Sequence, residues 1–164
     1  MECFHASHQC FDEFDTSRQS KEVGHHFSPD RQLCLSLVDT AKTHYLYQVE
    51  LPDGPYWEMY DIANWNNCAD FMDSLRRSIE LNHGAGQKQL HQKIMQAANS
   101  SPSDPQLGVV KLLQEEGFVG ISYFNEHEHG RTGQESYMIF SEEDITILER
   151  EDIVGLESDE IEMD

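Results

Sequence analysis

The segment GFVGISYFNEHEHGRTGQESYMIF, Gly117 to Phe140, constrains the fold of this chain more than any other stretch. Two β-prone runs flank a polar centre punctuated by Gly130 and Gly133. That pattern reads as a hairpin, two strands joined by a glycine-bearing loop. The second run, Tyr137-Met138-Ile139-Phe140, is preceded by Gln134, Glu135 and Ser136. Turn geometry calls for glycine or asparagine, so a carboxylate at the mouth of a strand needs another reason.

The flanking sequence supplies the rest of the layout. Met1 to Ser7 is suited to a short strand, and Phe11 and Phe14 in FDEFD are spaced to pin the following loop to a core. Ser28-Pro29-Asp30 is a helix start, with proline early and an acid near the positive dipole end. The helix it opens is predicted over 30–41, with Leu33, Leu37 and Val38 on one face. HYLYQVEL, His44 to Leu51, puts Tyr45, Tyr47 and Val49 on one side of a strand that Pro52-Asp53-Gly54-Pro55 closes. The aromatic-rich stretch 56–67 has no period that assigns it. Helices are predicted over 69–81, 87–99 and 106–116, the last capped by Gly117, and a short strand over 145–148. The class is therefore α+β with a small mixed or antiparallel sheet. One domain is expected over 1–150, with a helical insertion at about 56–105 and an acidic tail over 151–164.

Charge bounds the partners. The chain of 164 residues holds 31 acidic and 11 basic residues, a formal net charge of −20. Phosphate backbones are bound chiefly by cations, so direct nucleic-acid binding is not expected, whereas a basic protein partner would be attracted. No apolar run approaches the roughly 20 residues that span a bilayer. No basic-then-apolar leader opens the chain, and the four cysteines form no Cys-x-x-Cys pair. The expected setting is the cytoplasm, with free thiols. Glu126-His127-Glu128-His129 offers metal-ligand atoms, and His25 or His26 could add a third imidazole, but no zinc-type spacing supports a site, and none is expected. No phosphate-cradling glycine loop, Rossmann fingerprint or nucleophile elbow is present.

One set of motifs coheres. CFHAS places His5 and Ser7 on one face of the first strand; HHFSPD places Phe27 at the entrance to a helix; Tyr-x-Val-x-Leu lies within THYLYQVELPDG; GFVGISYF and GQESYMIF close the series with Glu135. In this order they resemble the ADP-ribosyltransferase family. Within it the likeness is to small enzymes and polyvalent-protein domains of phages and mobile elements, some of which act against host defences, CRISPR systems included. The resemblance implies a mono-ADP-ribosyltransferase that takes NAD as substrate and modifies a side chain of a host protein, expected to be basic or nucleic-acid-handling. It implies that His5 bonds a ribose hydroxyl, that the Ala6 backbone and the Ser7 hydroxyl hold the nicotinamide amide, and that Phe27 stacks on the nicotinamide ring. Glu135 would be the catalytic acid facing the charge that develops at the sugar carbon, with Glu126 and Glu128 as substitutes. Two features depart from the family pattern. A tyrosine is more usual at the place of Phe27, and Gln134 and Glu135 are adjacent where Gln-x-Glu or Glu-x-Glu is common, which leaves the acceptor type open. The competing class is a non-enzymatic acidic protein that mimics DNA and blocks a nucleic-acid-binding surface.

Overall fold

The computed structural model describes residues 1–11, 14, 26–36, 38–60, 65, 67–81, 86–124 and 135–155. Its strands are β1 (Glu2–Ser7), β2 (His26–Phe27), β3 (His44–Glu50), β4 (Tyr56–Met59), β5 (Gly120–Phe124), β6 (Glu135–Ile139) and β7 (Thr146–Ile153). Its helices are α1 (Arg31–Ser36), α2 (Cys68–Leu81), α3 (Lys88–Ser100) and α4 (Pro105–Glu115), with a 3-10 turn at Glu142–Asp144. The expected α+β class is what the chain adopts.

Two sheets form. One has the order β1-β3-β7 and is antiparallel throughout; the other has the order β2-β6-β5-β4, with β4 parallel to β5. The predicted hairpin is present, from Gly120 opposite Ile139 to Phe124 opposite Glu135. Phe4 and Ser28 join the sheets by exchanging two backbone hydrogen bonds, of 2.8 and 3.1 Å. Phe27 thus pairs with Tyr137 in one sheet while its neighbour Ser28 pairs with the edge of the other.

The stretch 56–67, without assignment from sequence, opens with β4, so the expected helical insertion begins as a strand. A parallel neighbour requires a long crossover, and α2, α3 and α4 supply it between β4 and β5. The crossover folds because each helix presents an apolar stripe to one sheet face. Phe71 and Leu75 of α2, Ile94 and Ala98 of α3, and Val109 and Leu113 of α4 are buried with Trp57, Met59, Ile121 and Met138. Asn67 accepts the Asp70 N–H at 3.1 Å and Asp104 accepts the Leu107 N–H at 3.2 Å, capping α2 and α4. Gly117, at φ +94°, ends α4 as expected: the Phe118 N–H returns to the Leu113 carbonyl, a closure that needs a left-handed residue. The buried Ser78 hydroxyl donates to the Ser74 carbonyl and accepts the Tyr60 N–H, each at 2.7 Å, tying α2 to the end of β4.

Two predicted boundaries are corrected. The helix predicted over 30–41 is only α1, starting where Asp30 accepts the N–H groups of Gln32 and Leu33. Its second half is displaced by a local turn: the Asp39 carboxylate takes the Ala41 N–H at 3.0 Å, a side-chain bond that competes with helix. Leu37 lies outside the described residues. The last strand, predicted over 145–148, continues as β7 to Ile153 along β3, three residues into the expected acidic tail. The rest of that tail, 156–164, lies outside the described residues.

Gly108 sets how closely α4 approaches α3: a Cβ built there would sit 2.6 Å from the Ala97 carbonyl oxygen. Helix propensity favours Gly108→Ala by about 1 kcal/mol. Overpacking against backbone costs about 1–3 kcal/mol. We expect a net loss of stability, read as a lower urea midpoint; an unchanged or raised midpoint would refute the close approach.

Candidate functional site

The second core lies between the sheets, and the sequence-predicted residues gather at its edge. Strand alternation puts Cys3, His5 and Ser7 on one face of β1, opposite Val49, Tyr47 and Tyr45 of β3. The other sheet contributes Phe27, Tyr137 and Ile139. The His5 ring lies 5.6 Å from Phe27, 5.3 Å from Phe14 and 6.4 Å from Tyr47, measured between ring centroids. Phe11 stacks on Tyr47 at 4.3 Å and meets Phe14 edge-on at 4.7 Å. The Phe11 N–H donates to the Tyr47 hydroxyl, which donates to the Gln9 carbonyl, at 2.9 and 3.0 Å. The rings of FDEFD therefore pin the chain after β1 to the core, as their spacing predicts.

Phe27 is 0% exposed, its ring packed edge-on against Phe14 at 5.1 Å. Ser7 ends β1 by accepting the Gln9 N–H at 3.0 Å, and its own O–H remains a donor. Ala6, opposite Leu46, has its side chain on the other face of β1. Glu135 opens β6 and is half-buried. Tyr137, two residues on and therefore on the same face, donates its hydroxyl to Glu135 Oε2 at 3.3 Å. Tyr137 is also the strand partner of Phe27. A continuous path thus runs from His5 through Phe27 and Tyr137 to Glu135. Ser136 points the opposite way and is buried, and Gln134, Glu126, Glu128 and the 125–134 loop lie outside the described residues.

Sequence reasoning missed the tyrosines. Tyr137 could have been found, because period-2 alternation places it beside Glu135. Tyr47 could not, because its pairing with His5 depends on a register between distant segments. Burial shapes the chemistry of this core. It pushes the Tyr137 hydroxyl up to about 12, with the Glu135 charge adding to the effect. It likewise raises Tyr56, whose ring lies 4.9 Å from Tyr137, and pushes the Cys3 thiol up to about 12. Cys3 is thereby held as a thiol, a form unsuited to nucleophilic work. The Glu126–His129 run expected not to hold metal lies outside the described residues, and among those described no group of three or more His, Cys, Asp or Glu could hold an ion. No helix among the described residues is long and apolar enough to cross a membrane.

Comparison with known proteins adds one likeness. No protein family and no curated protein matches the chain. A solved structure described as "Crystal structure of an anti-CRISPR protein" is similar over 93% of this chain and 95% of that one, at 18% identity and a TM-score of 0.40.

The raised groups give a pH prediction. Each keeps its proton in the folded state where the unfolded chain releases it, near 9 for Cys3 and 10 for Tyr137. Their contribution is fully present below those values and is lost as pH rises toward 12. Denaturation at a series of pH values should show stability falling from about pH 9 upward, and less steeply in Tyr137→Phe. Equal slopes in the two proteins would contradict the burial of this hydroxyl.

Proposed function

We propose that the protein is a mono-ADP-ribosyltransferase that uses NAD to modify a side chain of a host protein, in an anti-defence role of the phage or mobile-element kind. The observation that supports this reading is the series of contacts from His5 to Phe27, from Phe27 to its strand partner Tyr137, and from the Tyr137 hydroxyl to Glu135. In the proposed reaction the bond between the nicotinamide nitrogen and the sugar carbon breaks, and its electron pair leaves with neutral nicotinamide. An acceptor nucleophile then bonds that carbon and gives up a proton to solvent. The transition state resembles an oxocarbenium ion, as in glycoside hydrolysis. A fixed carboxylate stabilises charge where it develops, and Glu135 fills that role, oriented by the Tyr137 hydroxyl. Since nicotinamide leaves without being protonated, one acid suffices.

His5 bonds a ribose hydroxyl; the Ala6 backbone and the Ser7 hydroxyl meet the donor and acceptor of the nicotinamide amide. Phe27 supplies the stacking surface. Because Phe14 lies edge-on to both His5 and Phe27, nicotinamide can reach them only when that ring moves aside. The acidic surface favours a basic target, which the net charge of −20 supports.

Glu135→Gln keeps the side-chain shape but removes the charge. Nicotinamide release should fall by about 100-fold or more. NAD affinity should change far less, because only interactions strengthened in the transition state alter the chemical step. Glu143→Gln, on the exposed turn after β6, should react at the wild-type rate. Full activity in Glu135→Gln, with activity lost in Glu126→Gln or Glu128→Gln, would move the acid to the loop.

His5→Ala should weaken NAD binding by about 1–2 kcal/mol, the scale of a lost hydrogen bond in a buried site. Calorimetry on the folded variant checks this, and unchanged affinity removes His5 from the site. A wild-type protein that releases no nicotinamide with any host lysate, yet binds a host protein in a steeply salt-sensitive way, would instead be an acidic mimic.

A further inference from the structure

The outer face of the first sheet, away from His5 and Phe27, carries a groove of about 450 Å³. Its floor is Phe4, Leu46 and Gln48; its walls are Arg31 of α1 and Glu149, Arg150 and Glu151 of β7. Alternation accounts for the floor, since Phe4 lies opposite Gln48, and Leu46 and Gln48 lie opposite Glu151 and Glu149. The short α1 covers only part of this face. Arg31 reaches Glu151 at 2.7 Å and closes one end. Glu149 is exposed and has no basic partner among the described residues. Arg150 also borders the groove, but its guanidinium lies over the Tyr45 ring at 5.7 Å and bonds Asp152 at 2.8 Å.

The wall of this groove is also an open edge. β7 is eight residues long and pairs with β3 alone among the described residues. Six of its residues are exposed. A bulge leaves Leu148 between the partners of Gln48 and Val49, and its side chain is 49% exposed. Such an edge presents unpaired backbone donors and acceptors to an added strand.

We propose that β7 and the groove beside it dock an extended, arginine- or lysine-bearing segment of a partner protein. The segment adds to the sheet as a strand along the free edge of β7, and the side chains it carries on the groove face set their charges toward Glu149, on the near wall. A second copy of this chain is the poorer occupant, because most antiparallel β7–β7 registers set two of Glu149, Glu151 and Asp152 opposite one another, or one of them opposite itself. This surface lies on the opposite side of the sheet from the NAD site and does not depend on the NAD reading.

The probe is a seven-residue peptide alternating arginine and valine, with two controls: its glutamate-for-arginine twin and a twin with alternate backbone nitrogens methylated. Amide spectra of the labelled full chain should show shifts centred on Thr146–Ile153 for the arginine peptide and for neither control. Glu149→Lys should weaken binding about tenfold or more. Glu143→Lys, the same charge change away from the groove, should leave it within about twofold. The proposal is overturned if Glu143→Lys weakens binding as much, which means bulk charge, if the methylated peptide binds equally, or if the β7 amides do not shift.

Discussion

The fold depends on the pair of backbone hydrogen bonds between Phe4 and Ser28. β2 is only two residues long, yet its Phe27 pairs with β6 while the next residue pairs with β1. One residue therefore separates two sheets, and their inner faces must share a core. That core is aromatic because large rings fill the wedge left where sheets diverge, and edge-on packing suits rings of different orientation. The same junction starts α1. The Ser28 hydroxyl accepts the Asp30 N–H at 3.1 Å, and the Cys34 thiol donates to the Phe4 carbonyl at 3.2 Å. Ser28 and Cys34 are buried and their polar atoms are engaged.

The two cores serve different ends. The helical side packs Trp57, Trp65, Phe71, Ile94 and Leu113 against one face of the mixed sheet, and it includes few groups that could do chemistry. It acts as a rigid backing for β5 and β6. The inter-sheet side holds His5, Tyr47, Tyr56 and Tyr137, whose polar atoms need partners, and it borders the half-buried Glu135. The Tyr137 hydroxyl donates to Glu135, and burial pushes its pKa further up from the ordinary tyrosine value. The candidate site at the sheet junction would gain from this division, because the backing fixes strand positions while the ring of Phe14, carried on the chain after β1, packs against His5.

The acidity is distributed to match. The ion pairs among the described residues lie at or near the surface, where each adds little. Carboxylates on β7 answer a second need. An exposed edge strand invites pairing with other chains, and like charges along it repel copies of the same protein. Arg31 and Arg150 engage two of those acids and leave Glu149 outward.

Local patterning along the chain specifies the α+β class, the hairpin of β5 and β6, the helices α2, α3 and α4, and the grouping of His5 with Ser7. Each of these follows from local periodicity or from a local cap such as Gly117, which physics reads over a few residues. It also pointed to Phe11 and Phe14 as anchors. It overran α1, because the Asp39 side chain competes for backbone bonds in a way that apolar spacing does not reveal. It did not assign β4, whose parallel pairing with β5 spans three intervening helices. It ended β7 early, because its acids read as solvated tail until β3 offers them a partner strand. The meeting of His5, Phe27, Tyr137 and Glu135 was decided only in three dimensions. Those residues are far apart in the chain, and the register of β1 on β3 and the joint at Phe4 and Ser28 are contacts between segments that no local propensity encodes.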